Sequence, residues 1–536
     1  MLQPWLFWCW LVSRNPIHEH IAPLVHIGYG RGGISLPRKI PIFYSALLLT
    51  GVNLLLRFIG TSFQVYLSGR IGAEGIGLLQ LTMSVGSMAM IAGMGGIRTT
   101  AMYLTAEELG RGRGRNMTRI LSGCVGYSLF LSSTVGFFLY HFAPWIAKVW
   151  IGNPLTADAL RLFASFLPVV CLCGVMTGYF TAAQRIGTLA AVEVAEQICS
   201  MGLTILLLNL WAGLDPVKSC LSVIFGSSFG GVLTLSALLI LRLKEPFKKS
   251  DPIPVRSRLL HIALPLALAD DLKAGINTVE NLMVPKRLTL NRATENPLAA
   301  FGMVSGMVFP VIMFPAAILF GLTELLIPEM ARCNSAGHQA RIQYLTQKSL
   351  KVALIYGITF GGSLFLLANP LCLRLYGNDE AAKYLKWYAL LVPMLYCDAI
   401  TDAITKGLGQ QHICVRYNII TSFLDVVFLY LLLPRFGMEG YYFSFLLTHL
   451  VNFILSLRLL LRTTKLYLPL HGPMLSLAAM GISVSTSILV QSAPLTVLSY
   501  LTILGCLLFL FQVLHWEDLL WLQGLIRGKN RVSSAP

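Results

Sequence analysis

The stretch "GLLQLTMSVGSMAMIAGMGGIRTTAMYLTAEELGRG", residues 77–112, decides the fold. From Ile76 the chain carries no charge until Arg98. A helix rises about 1.5 Å per residue and needs about 20 apolar residues to cross a hydrocarbon core of about 30 Å. Arg98 lies about 13 Å along such a helix from Glu107, the next charge. Similar runs recur along nearly the whole chain. Of its 536 residues, 55% are hydrophobic and 12% charged, and mean hydropathy is +0.69. Soluble domains carry about 25% charged residues. The fold class expected is therefore an all-α polytopic membrane protein. A membrane barrel would instead show alternating segments of about ten residues.

About fourteen spans can be read: 42–68, 77–104, 119–143, 158–181, 188–211, 218–242, 259–285, 298–327, 349–373, 385–409, 414–434, 439–461, 470–491 and 494–515. The net charge of +17 would suggest nucleic acid in a soluble protein. Here the basic residues gather in alternate short loops. Arg111, Arg113, Arg115 and Arg119 follow the second span, Lys248, Lys249 and Arg256 the sixth, and Arg458, Arg462 and Lys465 lie at the end of the twelfth. Lys286, Arg287 and Arg292 are the main exception. The positive-inside rule then places both termini in the cytoplasm, with membrane lipids rather than nucleic acid as partners of the loops.

Of the eleven cysteines, Cys124, Cys171, Cys173, Cys199, Cys372, Cys397 and Cys506 lie within apolar segments. Cys171 and Cys173 have no zinc-type spacing. They read as small apolar residues, not as a disulfide framework or a metal site. "GYGRGG" (28–33) follows no strand and runs into Pro37, so it is not a dinucleotide loop. No cofactor or metal is implied.

The polar segment "RLKEPFKKSDPIPVRSR" (242–258) reads as a linker. The sequences on either side of it look alike. "FLPVVCLCGVMTGYFTAAQR" (166–185) pairs with "LVPMLYCDAITDAITKGLGQQ" (391–411), and 77–112 pairs with 302–337, both at an offset of about 225 residues. Transporters are often built from such repeats. The expected organisation is an atypical flexible leader (1–40), a first six-helix lobe (41–243) and a cytoplasmic linker (244–258). A pseudo-symmetric second lobe (259–465), two further helices (466–520) and a cytoplasmic tail (521–536) follow.

Ionisable residues inside spans cost at least about 2.5 kcal/mol and face a cavity or a partner. The candidates are Arg57, Arg98, Asp270, Asp271, Lys273, Glu280, Glu324, Asp398, Asp402, Lys406, Asp425 and His449. Asp398, Asp402 and Lys406 are four apart and share one helix face, with Asp402 and Lys406 in the favoured order for an ion pair. Asp270 and Lys273 can pair likewise. Either cluster can neutralise itself or bind an ion. Arg98 can snorkel to the headgroups, which is harder for Arg57 near mid-membrane. Pro265, Pro310, Pro315 and Pro393 can kink their helices. Gly86, Gly93, Gly95 and Gly96 allow close approach or a joint.

"LLLRFIGTSFQVYLSGRIGAEGIGLLQL" (54–81), "ALPLALADDLKAGINTVENLMVPKRL" (263–288), "SGMVFPVIMFPAAILFGLTELLIPEMA" (305–331) and "KGLGQQHICVRYNIITSFLDVVFLYLLLPRFGMEG" (406–440) resemble the first, seventh, eighth and tenth-to-eleventh helices of one family. It is the stage V sporulation protein B and polysaccharide-exporter family, within the superfamily of multidrug, oligosaccharidyl-lipid and polysaccharide exporters. The resemblance covers about residues 41–465. The sequence departs from the family in having "GIR" (96–98) where "GIP" is usual. Asp270, Asp271 and Lys273 also stand where small hydroxyl residues are usual.

The resemblance implies a bacterial cell-membrane flippase or exporter of a lipid-linked oligosaccharide or peptidoglycan-type precursor, working by alternating access, with sporulation or envelope polysaccharide synthesis as its setting. It also implies that spans 1, 2 and 7 line one cavity, where Arg57, Arg98, Lys273 and Glu280 would meet a polyprenyl pyrophosphate glycan. Arginine suits a phosphate through its planar fork. Asp398, Asp402, Lys406 and Asp270 would form a charge stripe or couple transport to H⁺ or Na⁺. A cation-coupled multidrug antiporter is the alternative of the same fold. A membrane-embedded glycan-lipid enzyme is the other alternative, but no catalytic residues are expected and no external loop exceeds about twenty residues.

Overall fold

The structure is a computed structural model. It describes residues 42–110, 116–183, 185–212, 215–243, 255–291, 295–467, 471–490 and 492–515. The leader expected over 1–40, linker residues 244–254 and the tail over 521–536 lie outside the described residues, as does the side chain of Glu324. Among those described, the chain is helical with no strand, and each of the expected spans is mostly helix, some with breaks.

The first helix, α1 (Ile42–Met94), holds two spans joined at Gly72, whose φ of 72° and ψ of 175° suit glycine. After Gly95 and Gly96 come α2 (Ile97–Gly110), α3 (Met117–Ile146), α4 (Ala157–Ala182), α5 (Ile186–Leu207) and α6 (Pro216–Leu243). Then follow α7 (Val255–Leu288), a short α8 (Pro297–Gly302) that runs through a π-helical turn (Met303–Val308) into α9 (Phe309–Ser335), and α10 (Gln339–Tyr376). The tenth span is α11 (Glu380–Ala389) plus α12 (Val392–Gly407), bent by 51°. Pro393 at the start of α12 favours such a restart. Spans eleven and twelve form one element, α13 (Gln411–Thr464), broken at Gly437 with φ of 57°. The last two are α14 (His471–Ser487) and α15 (Ala493–Leu510).

Among the described residues nine helices are long and apolar enough to cross a membrane, or ten if the bent α11–α12 pair is one span. Two of the nine, Leu54–Leu109 and Gln411–Thr464, each contain two expected spans. The seventh expected span, α7, falls outside because it carries Asp270, Asp271, Lys273 and Glu280. Of these four, the structure buries Glu280 among other helices. Packing runs α3 on α4, α4 and α5 on α6 for the first set of helices, and α9, α10 and α13 on α12 for the second. The two sets meet where α1 packs on α7, α8 and α9. Helices α14 and α15 pack on each other and on α10, and the Tyr500 hydroxyl donates to the Ile358 carbonyl at 2.6 Å.

Close backbone approach defines the meeting of the two sets at the end of the bundle that contains Gly72. A methyl on Gly302 would land on the Ala73 carbonyl, and one on Gly77 on the Leu298 carbonyl. The π-helical turn widens the ladder, and the Gly306 carbonyl there accepts from Gln64 Nε2 at 3.3 Å and Ser68 Oγ at 3.1 Å. Asn296 Nδ2 donates to Glu74 at 3.3 Å, and Lys286 Nζ donates to the Val149 carbonyl.

Candidate functional site

The expected continuous span over 77–104 is interrupted. Gly95 and Gly96 have φ of +48° and +67°, a pair that only glycine adopts readily. The break is enclosed on both sides. Tyr127 of α3 donates its hydroxyl to the Gly95 carbonyl at 3.3 Å. A methyl on Gly96 would come within 2.8 Å of the Ala263 carbonyl of α7. Arg98 is therefore in the first turn of a new helix. Its backbone lies against α4, where a methyl on Gly178 would land on the Arg98 carbonyl. Among the described residues, Glu193 of α5 is the opposite charge whose field reaches Arg98.

Sequence reading missed Glu193 and its neighbour Glu196. They stand three apart in "AAVEVAEQICS", inside an apolar span, and that alone marked them as candidates. Glu196 accepts from Thr234 Oγ1 of α6 at 2.5 Å. On the same α5 face, Gln197 Nε2 and Ser200 Oγ are buried without a hydrogen-bond partner. A methyl on Gly60 of α1 would lie 3.6 Å from Gln197 Nε2.

Arg57 is 8% exposed, and its guanidinium carbon lies 4.6 Å from the centre of the Phe320 ring of α9. Its neighbour Phe58 packs against Phe314 of the same helix, with ring centres 5.7 Å apart. Arg57 thus occupies the seam between the first and second helix sets, whereas Arg98 is built into the first. On α7, Asp270 is exposed, Asp271 and Lys273 are half-buried, and Glu280 is buried.

Glu280 comes together with a residue 145 positions away, at hydrogen-bonding reach of Asp425 on α13. Ser444 Oγ and Thr448 Oγ1 both donate to Asp425 Oδ1, at 2.6 and 3.3 Å. His449 packs at a tilt against Phe445 beside them, with ring centres 4.1 Å apart. All of Glu280, Asp425, Ser444 and Thr448 are buried. Two carboxylates this close repel unless a cation or proton lies between them.

The α12 stripe forms as expected, with Lys406 donating to Asp402. Asp398, one turn earlier, accepts from Asn452 Nδ2 at 3.1 Å through Oδ2, while its Oδ1 is buried without a hydrogen-bond partner.

At the end of the bundle opposite Gly72, Arg258 at the start of α7 forks onto two carboxylates of α2. It reaches Glu107 at 2.5 Å and Glu108 at 3.1 Å. Glu108 is fully buried and also accepts from Asn116 Nδ2 at 3.0 Å. Burial alone would lower the Arg258 pKa, but the hydrogen bonds and charges of Glu108 and Glu107 outweigh it and raise it.

Residues 287–431 match the MatE family. The chain is 20% identical over 406 residues to Stage V sporulation protein B of Bacillus subtilis (strain 168), covering 74% of this chain and 78% of that protein. It is 22% identical over 407 residues to Lipid II flippase MurJ of the same organism, covering 69% and 73%. Among solved structures, Lipid II flippase MurJ in an inward closed conformation superposes with a TM-score of 0.65 at 13% identity, covering 88% of this chain and all of that one. An inward-facing multidrug resistance MATE family transporter gives 0.62 at 12% identity, covering 82% and 99%. The resemblance read from the sequence therefore stands. The chain is a multi-pass membrane protein with the fold of these transporters, and the relatives whose names state a role are a lipid II flippase and a multidrug transporter, not enzymes.

Proposed function

We propose that this chain, a membrane transporter of the flippase kind, moves a lipid-linked oligosaccharide or peptidoglycan-type precursor across a bacterial cell membrane by alternating access. Its two lobes would be residues 41–243 and 259–465, rocking about the seam between α1 and α7–α9. The observation that carries this reading is Arg57. Arg57 is a guanidinium buried inside a span at the seam between α1 and α9, and an ionisable residue so placed marks a ligand pathway. Its planar fork suits the oxygen pairs of a diphosphate. A cationic drug would meet repulsion there.

Arg98 is the second cation in this reading, at the head of α2, where the helix dipole also favours an anion. Glu193 offsets it, so the anion is held but not trapped. H⁺ or Na⁺ would couple the cycle at Glu280–Asp425 or at Asp398 and Asp402. Sporulation is a setting consistent with the named relative.

That same carboxylate pair favours the multidrug antiporter as the second reading. The test is vesicle transport of a polyprenyl diphosphate glycan against an organic cation. The flippase reading expects the lipid to move and Arg57→Ala to abolish its movement. Movement of the cation alone, unaffected by Arg57→Ala, would overturn it.

A further inference from the structure

The last three turns of α13 carry a feature that plays no part in the transport reading. A recess of about 400 Å³ opens there, and its described walls are Ile454, Leu457, Arg458, Leu461 and Arg462. Its surface is apolar although two of the five residues are arginines, so their aliphatic stems form the walls and their charged heads the rim. Ile454, Arg458 and Arg462 are each four apart, which stacks them on one helix face, and all three are exposed.

Depth along the helix matters. The helix ends at Thr464, with Lys465 as its left-handed cap. Arg462 and Arg458 therefore lie about 3 and 9 Å from the helix end and Ile454 about 15 Å in, so the arginines stand nearer the membrane surface than Ile454 does. The end itself is pinned to α10. Gln339 Nε2 donates to the Thr464 carbonyl at 2.7 Å, and Gln343 Nε2 to Thr464 and Lys465 carbonyls at 3.1 and 3.3 Å. A fixed helix end holds the rim in place.

We propose that this recess binds an anionic phospholipid of the surrounding bilayer, its phosphodiester on Arg458 and Arg462 and one acyl chain along Ile454, Leu457 and Leu461. A zwitterionic lipid offers the same chains, but its ammonium would meet the cationic rim. Charge complementarity thus commits the site to lipids such as phosphatidylglycerol.

The experiment is native mass spectrometry of the purified full chain in detergent, with phosphatidylglycerol or phosphatidylcholine of identical acyl chains added. Each basic residue near a membrane surface contributes enough for two to give a preference on the order of thirtyfold. We expect one phosphatidylglycerol to be retained in that preference. Arg458→Gln with Arg462→Gln should remove it, and Lys at both positions should largely keep it. Arg416→Gln, at an exposed arginine near the start of the same helix, should leave it unchanged. Leu457→Ser with Leu461→Ser should weaken retention of both lipids without touching the charge, which keeps the test alive if the Gln pair fails to fold.

Equal retention of both lipids, or equal loss in the Arg416 variant, would overturn the proposal. So would a polyprenyl diphosphate that displaces phosphatidylglycerol from these arginines, since the recess would then belong to the transported lipid.

Discussion

At the residue scale the outcome turns on Arg98. Its place in an apolar run was legible, because one guanidinium among uncharged neighbours stands out. Its counter-charge was not, because Glu193 lies 95 positions away on α5 and only packing brings it near. The same holds for Glu280 and Asp425, which no spacing rule connects.

Glu193 also sharpens the test. Arg98→Lys keeps the charge but loses the fork, so transport of a lipid diphosphate should fall modestly. Arg98→Ala should cut it about tenfold or more, since hydrogen bonds to charged groups contribute about 1.5–3 kcal/mol. The Ala variant also removes the positive field that acts on Glu193. Arg98→Ala with Glu193→Gln restores neutrality and separates the roles. If the double variant transports normally, Arg98 only balances Glu193 and does not touch the substrate.

At the scale of single elements, α12 shows what local spacing can deliver. The Asp402–Lys406 pair follows from a four-residue step within one helix, and it formed. Both side chains are mostly buried, at 23% and 16% exposure. Asp402→Asn should therefore leave Lys406 a poorly compensated charge and cost on the order of 2 kcal/mol, below the about 3–5 kcal/mol of a fully buried pair. Adding Lys406→Met should restore most of the thermal midpoint measured in detergent. A silent Asp402→Asn would mean that water already solvates the pair.

The broken second span was partly legible in the same way. Its glycines permitted either close packing or a joint, and sequence alone left both open. The structure contains both, since Gly95 and Gly96 take positive φ while α3 and α7 press against them. The Asn452 contact to Asp398 was not legible, because it crosses from α13 to α12.

At the scale of the whole molecule, the all-helical membrane class followed from the recurring apolar runs. Orientation is the first whole-molecule test. Reporter fusions at Gly112 and Ser250 should read as cytoplasmic and one at Asn153 as external, and the reverse pattern would invert the molecule. The seam could not be read from sequence, because its contacts join residues some 150 to 240 positions apart. It is closed near Gly72 by bare backbone, with glycines 302 and 77 against carbonyls. At the other end it is closed by charge, with Arg258 on Glu107 and Glu108.

These two closures differ in physics. Backbone contact fails when a side chain intrudes, whereas the charged clasp fails when a partner is removed. If the lobes rock as rigid bodies, loosening one end should tighten the other. Gly302→Val should force the Gly72 end apart, raising hydrogen exchange over residues 70–80. It should also slow exchange over residues 102–110, where the clasp is made. Arg258→Ala should do the opposite, speeding exchange over 102–110 while leaving 70–80 as protected as before or more so. Because Arg258 is partly exposed, its loss should cost on the order of 2–3 kcal/mol of clasp energy rather than unfold the chain. Purely local changes in both variants, with no reciprocal effect at the far end, would mean that the two closures are independent and that the seam does not rock.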